Sequence, residues 1–313
     1  MSPGAQITVV GIGADGWSGL SETARAAVLS ADQVIGSERQ LALLPATAAN
    51  GRAWPSPITP LLDQLTALET GAICVLASGD PMLHGIGATL ARRIPNGRLS
   101  VISHPSAFAL ACARMGWPAA EVELVSAVAR PADVVARALQ PGRRVVAYST
   151  GADGAAGVAR VLCDRGYGAS GFVVMEQLGA AAEALIASTA GEFGDGPVDP
   201  LHTIAITCVR DPQALLLPLV PGLPDAAYEH DGALTKRHVR AATLAALAPT
   251  PGGLLWDIGA GSGSIAIEWL RAEHTARAIA VEARTDRAER IARNATRLGV
   301  PTLRVVTGAA PEV

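Results

Sequence analysis

Lysine is nearly missing from this chain: of 25 basic residues among 313, only Lys236 is not an arginine. Against 28 acidic residues this leaves a net charge of -3, with no bulk attraction to nucleic acid. Aromatic residues make up only 4%, so the cores must be built from Ala, Val, Leu and Ile. The four cysteines, Cys74, Cys112, Cys163 and Cys208, lie far apart in apolar runs. They form no CxxC pair and no Cys/His cluster with zinc spacing, which argues against a disulfide scaffold or a metal site and for reduced thiols in a cytoplasm. No apolar run reaches the length of a membrane span, and no basic stretch followed by an apolar one opens the chain. A soluble cytoplasmic protein with no nucleic-acid or membrane partner is expected. What is present is a sequence 50% hydrophobic and 17% charged, long enough for two domains with sizeable cores.

The sharpest local signal is Leu254 to Gly263, LLWDIGAGSG, followed by IAIEWL and then AIAVEA. It reads as a buried strand, a glycine turn, a helix and a second strand ending in Glu282. Before it, β-branched runs alternate with helical stretches. Strands are expected at Ile7–Val10, Gln33–Ile35, Ala72–Ala77, Leu99–Ile102, Val122–Val125, Arg144–Tyr148, Gly171–Met175 and Leu201–Val209. Helices are expected from Ser21, after Gly36-Ser-Glu-Arg39, over LLDQLTALET, Ile86–Arg93, AFALACARMG, Ala132–Leu139 and AAGVARVLCDRG, and over Thr235–Leu247. Trp54–Pro60 reads as a loop, and Glu183–Thr189 fits a strand pair or a frayed helix. The alternation predicts α/β layers with mostly parallel sheets. A proline-rich seam, LPLVPGLPDAAYEH, divides residues 1–224 from 225–313.

Two glycine turns compete as cofactor sites. Gly11, Gly13 and Gly16 match GxGxxG, but Trp17-Ser-Gly-Leu20 separates the third glycine from the helix, and Asp32 precedes its strand instead of closing it. In the second turn the glycines stand at 259, 261 and 263, while a nicotinamide fingerprint needs one at 264, where the chain has Ser. That spacing, with Asp257 ahead of it, resembles motif I of the Rossmann-like S-adenosylmethionine-dependent methyltransferases. Small residues there let backbone approach a ligand, and Glu282 can accept hydrogen bonds from ribose hydroxyls. A plain strand-turn-helix with an exposed acid is the alternative.

The surroundings narrow the resemblance. His230-Asp-Gly-Ala-Leu-Thr-Lys-Arg-His-Val-Arg240 resembles the lead-in of precorrin methyltransferases that decarboxylate as they methylate. Gly308-Ala-Ala-Pro-Glu312 resembles the turn after their third strand, with Ala309 in place of the usual Asp. This likeness implies that Thr235, Gly259, Gly261, Gly263, Glu282 and Ala310 hold the cofactor. Lys236, Arg237 and Arg240 fit either a solvated helix face or contacts to substrate carboxylates. A full fold of this type needs roughly a hundred more residues after Val313. An incomplete second domain with an exposed sheet edge is therefore expected.

Residues 7–210 resemble the tetrapyrrole methylases through GIGADG, Gly36-Ser-Glu-Arg39, Ser78-Gly79-Asp80-Pro81 with Gly85, His104-Pro-Ser-Ala107 and Glu176-Gln-Leu-Gly179. The chain departs from that pattern at Ala14, where a proline is usual, and at Val128-Ala-Arg130, where His-Gly-Arg is common. The resemblance implies a two-lobed α/β domain with the cofactor held by Ser78, Gly79, Asp80, Leu83, Ser106 and Ala107 from one lobe and Ser149 and Gly179 from the other. Asp80 ahead of Pro81 equally fits a helix N-cap.

Together the two likenesses point to the fused precorrin methyltransferases of cobalamin biosynthesis: a two-lobed tetrapyrrole methylase domain followed by the first half of a Rossmann-like domain. The implied activity is S-adenosyl-L-methionine-dependent methylation of a precorrin at C5 and C15, with loss of the C12 acetate carboxylate. A homo-oligomer is implied by resemblance alone. Such transfer needs two partners held in line and water excluded, because the electron-rich meso carbon of a reduced tetrapyrrole is itself the nucleophile. The absence of a Ser/His/Asp or Cys/His constellation agrees with that. His84 and His104 lie in cleft turns, and Arg39, Arg92, Arg93, Arg130 and Arg144 are candidates for substrate carboxylates. Two alternatives remain: a methylase of C5 alone with an inert docking or dimerisation segment at its C-terminus, and a nicotinamide oxidoreductase using Gly11 to Gly16.

Overall fold

A computed structural model describes residues 5–48, 50–95 and 97–313. They group into two compact units, one within Met1–Ala120 and Met175–Leu185, the other within Glu121–Val174 and Ile186–Val313.

The first unit runs β1 (Gln6–Ile12), α1 (Gly16–Gly19), α2 (Glu22–Leu29), β2 (Gln33–Gly36), α3 (Glu38–Ala42), β3 (Gly51–Ala53), α4 (Thr59–Ala67), β4 (Ala72–Ser78), α5 (Ile86–Ala91), β5 (Leu99–Ile102) and α6 (Ala107–Met115). Its sheet has the order β3-β2-β4-β1-β5, and every pairing in it is parallel. In β1, Ile7, Val9, Val10 and Ile12 are all buried, as expected for a strand covered on both faces. Each such side chain contributes about 1.5–3 kcal/mol on leaving water. Ser21 caps α2, and Ser37 with Gln40 forms a capping box on α3, which fixes where both helices begin. Ile12 pairs with Ser78 and Val10 with Ile102, so β1, β4 and β5 end at one edge of the sheet. The turns after them are thereby neighbours.

In the second unit the chain continues with β6 (Val122–Ser126), a 3-10 turn (Ala132–Arg137), β7 (Arg144–Tyr148), α7 (Gly154–Asp164), β8 (Gly171–Glu176), β9 (Ala184–Thr189) and β10 (His202–Thr207). The strand order is β6-β7-β10-β8-β9. β6 and β7 are parallel but β10 and β7 are antiparallel, so this sheet is mixed. After these strands come α8 (Arg237–Leu247), β11 (Leu254–Ile258), α9 (Ser264–Ala272), β12 (Arg277–Glu282), α10 (Thr285–Arg297) and β13 (Arg304–Thr307). β11, β12 and β13 form a parallel sheet in that order.

Several expectations are corrected. A single helical turn, α1, does start at Gly16, although the longer helix waits until Glu22. Ala132–Leu139 is not an α-helix. Its i→i+3 bonds, such as the Ala138 N–H to the Val135 carbonyl, close Ala132–Arg137 as a 3-10 turn. Glu183–Thr189 is an outer strand whose first four residues are all exposed, which is why its periodicity is undecided in sequence. β11 is not a buried strand: Leu254, Trp256 and Ile258 are 43%, 57% and 54% exposed, because it is an outer strand with one open face.

Candidate active sites

At the carboxyl ends of β1, β4 and β5 the chain folds on itself closely. A Cβ on Gly11 would lie 2.2 Å from the Gly79 carbonyl oxygen and 2.7 Å from the His104 backbone nitrogen. Only glycine lets these turns approach so closely. The Gly79 N–H donates to the Ile12 carbonyl at 3.0 Å, tying the β4 turn to β1. The Ser78 hydroxyl accepts from Arg39 Nη2 at 3.2 Å and from Gln40 Nε2 at 3.1 Å. Asp80 is not a helix N-cap, because α5 begins only at Ile86 with Gly85 at its N-cap position. Its Oδ1 instead accepts from the Met82 N–H at 2.8 Å, and the Leu83 N–H donates to the Asp80 carbonyl at 3.2 Å. The Ser106 hydroxyl caps α6 by accepting from the Ala109 N–H, and Ala107 is the first helical residue.

A cavity of about 370 Å³ opens at this edge. Gly11, Asp15, Ser21, His104, Leu110 and Gly179 are among its lining residues. The Gly179 N–H donates to Glu183, whose carboxylate also takes two bonds from Arg114. Those bonds, the Arg114 guanidinium first, hold the Glu183 carboxyl below the usual carboxylate range. Ser78, Gly79, Asp80, Leu83, Ser106, Ala107 and Gly179 all belong to this first unit.

Ser149 belongs to the second unit, one residue past β7. It is buried, with its hydroxyl 2.6 Å from His202 Nε2, while His202 Nδ1 lies 2.7 Å from the Asp199 carbonyl. The carbonyl can only accept, so Nδ1 carries the proton and Nε2 accepts from Ser149. His202 is a partner that no sequence motif singles out, since it lies 53 positions away in sequence.

The C-terminal turn holds together around Glu282, which is 5% exposed. Its Oε2 accepts from the Gly261 N–H at 2.8 Å and its Oε1 from the Arg284 N–H at 3.0 Å. Gly259 N–H donates to the Val281 carbonyl, and Gly263 holds the N-cap position of α9 with φ +75°. A Cβ there would come within 2.7 Å of Ile291. Asp257 accepts from the Ala266 N–H, while burial pushes its carboxyl up and nearby Glu282 adds to the effect. The Ser262 hydroxyl donates to the Ala233 carbonyl at 2.8 Å, which brings the lead-in segment to the turn. Thr235 is half-buried two residues before α8, and its carbonyl accepts from Arg240. Ala310 is exposed, in the turn that starts where the Gly308 N–H donates to the Glu282 carbonyl.

Arg240 is neither a solvated residue nor a substrate contact. It is fully buried, 2.5 Å from Glu268 Oε1 and stacked 4.9 Å over the Tyr228 ring. Glu268 also accepts from Gly222 N–H, Leu223 N–H and the Tyr228 hydroxyl, so the seam is locked onto α9. Arg93 and Arg144 pair with Asp63 and Glu121.

Residues 6–194 match the model of the Tetrapyrrole (Corrin/Porphyrin) Methylases, and residues 226–313 match the Precorrin methyltransferase domain. A Precorrin-6Y C(5,15)-methyltransferase [decarboxylating] from Sinorhizobium sp is 45% identical over 97% of this chain and 74% of its own length. The chain belongs to the precorrin-6Y C(5,15)-methyltransferase family. A relative of the same name from Mycobacterium tuberculosis is 42% identical over 98% of this chain and 76% of its own. Among solved structures, a uroporphyrin-III C-methyl transferase from Thermus thermophilus complexed with S-adenyl homocysteine aligns at a TM-score of 0.50 and 19% identity, covering 65% of this chain and 97% of that one. This last likeness supports the fold alone. Membership of the precorrin-6Y family sets aside the nicotinamide reading of Gly11 to Gly16.

Proposed function

We propose that this chain is an enzyme of cobalamin biosynthesis that methylates a precorrin at C5 and C15 and removes the C12 acetate carboxylate, with S-adenosyl-L-methionine as donor. The observation that carries this reading is that matches to both family models lie on one chain that is 45% identical to such a relative over 97% of this chain, and we take the two modules as 1–224 and 225–313. The first module holds one donor molecule at the ends of β4 and β5, on Ser78, Gly79, Asp80, Leu83, Ser106 and Ala107, with Gly179. The second holds another on Thr235, Gly259, Gly261, Gly263, Glu282 and Ala310. The precorrin is the partner, and the cytoplasm the compartment. No helix among the described residues is long and apolar enough to cross a membrane, and no group of three or more His, Cys, Asp or Glu side chains among them could hold a metal.

The chemistry asked of the protein is positional. The donor sulfonium supplies an electrophilic methyl group and the macrocycle supplies the electrons. The protein therefore contributes alignment, dry surroundings and compensation of charge. The Asp80 carboxylate favours the cationic donor over the neutral S-adenosylhomocysteine (SAH) left after transfer. Glu282 is already oriented by two backbone N–H groups, so its remaining lone pairs are aimed without reorganisation.

Calorimetry with SAH tests the reading. Two sites are expected in the full chain, one lost in Gly261→Val and the other weakened in Asp80→Ala. Mass spectrometry of the product should count one methyl group fewer for each. Methyl transfer unchanged in both variants refutes these sites, and a single SAH site in the unmodified chain refutes the two-site reading.

A further inference from the structure

Methylation at a meso carbon leaves a step that none of the proposed donor-binding residues performs. The C5 π electrons form the new C–C bond, the C–S bond breaks with its pair going to sulfur, and the macrocycle becomes cationic with both H and CH3 on C5. The C5–H proton must then leave, its electron pair returning to the ring. That step needs an acceptor beside the donor site.

The first unit holds a carboxylate at the cavity, that of Asp15, paired with a histidine. Asp15 stands at the N-cap position of α1 but makes no side-chain cap bond. Its Oδ1 is buried and accepts no hydrogen bond. His104 Nε2 approaches that oxygen at 3.2 Å, out of hydrogen-bond alignment, with the two side chains 11% and 28% exposed for His104 and Asp15. Both residues line the 370 Å³ cavity, which Gly179 also lines. His104 is two residues before the Ser106 cap, and Gly11, on the cavity wall, abuts the Gly79 carbonyl. Gly19 leaves the niche in which the carboxylate lies, since a Cβ there would be 1.9 Å from Asp15 Oδ2. A partly desolvated carboxylate held beside a histidine at the carboxyl ends of parallel strands is suited to take a proton from a bound substrate.

We infer that Asp15 accepts the proton leaving C5 during methylation by the first module, and that His104 is a positioning residue that holds its carboxylate. This rests on the reading of the first module as a C5 methylase.

The test uses the full chain with the precorrin substrate and a donor labelled with 13C in its methyl group, so that the C5 methyl is read by NMR. Asp15→Asn and Asp15→Ala should each lower C5 methyl transfer at least about a hundredfold. SAH affinity at the first module should stay within about threefold. Added formate should restore transfer in Asp15→Ala, where the niche is empty, and not in Asp15→Asn. His104→Ala should lower kcat with KM unchanged, and His104→Gln should recover part of the loss. Undiminished transfer in Asp15→Asn overturns the inference. So does a loss that follows SAH affinity, or one that formate fails to relieve in Asp15→Ala. An unmodified chain that never binds SAH in its first module would instead refute the C5 reading itself.

Discussion

The two glycine turns of this chain are built in opposite ways. Around Glu282 the contacts are local: Asp257, the three glycines and the acid fall within 26 consecutive positions, and a strand, a helix and a second strand bring them together. At the first site Gly11, Gly79 and His104 are made neighbours by the shared edge of β1, β4 and β5, and Gly179, from beyond β8, lines the same cavity. A local site tolerates change around it; an assembled one depends on the packing of several turns.

That contrast can be broken at defined points. The largest effect is expected at the lock that holds the C-terminal module to its seam. Arg240→Ala leaves Glu268 charged and buried without its cation, and should cost about 3–5 kcal/mol in denaturant unfolding. The double replacement Arg240→Met with Glu268→Leu should not restore stability, since it strands the Gly222 and Leu223 N–H groups and the Tyr228 hydroxyl. Next come the two glycine turns compared directly. Gly11→Ala pushes a methyl into the Gly79 carbonyl and should cost about 3 kcal/mol, with loss of the first SAH site. Gly259→Ala meets no protein atom within 4 Å and bears only the strain of φ +74°, about 1 kcal/mol of stability. Equal costs at the two positions would erase the distinction drawn here. The smallest effect concerns thiols. Burial pushes Cys74 up to about 12 and Cys208 up to about 11, so neither forms thiolate near pH 8, whereas Cys163 is exposed. A thiol reagent at pH 8 should label Cys163 first, and Cys74 and Cys208 only on unfolding.

Much of this was legible beforehand where the signal is local. β5 and β7 run over the residues that their β-branched pattern predicts, and Ser21 caps the helix it opens. Gly261 and Glu282 are joined by a hydrogen bond, as a turn facing a strand end allows. Misreadings arose where neighbours in space decide. Arg240 is charged and so resembles a surface residue, but Glu268, 28 positions on, makes its burial affordable. β10 reads like any buried strand, and nothing within it states that it runs antiparallel to β7.

The sequence by itself determined the period of most elements and the glycine turns, because propensity, periodicity and backbone strain act over a few residues. Only the tertiary structure decided that Asp80 turns towards Met82 and caps no helix, that the Ser149 hydroxyl donates a hydrogen bond to His202, and that Asp15 lines a cavity beside His104. Those outcomes depend on which distant groups occupy the space beside a side chain, and hydrogen bonding and desolvation are settled by that occupancy.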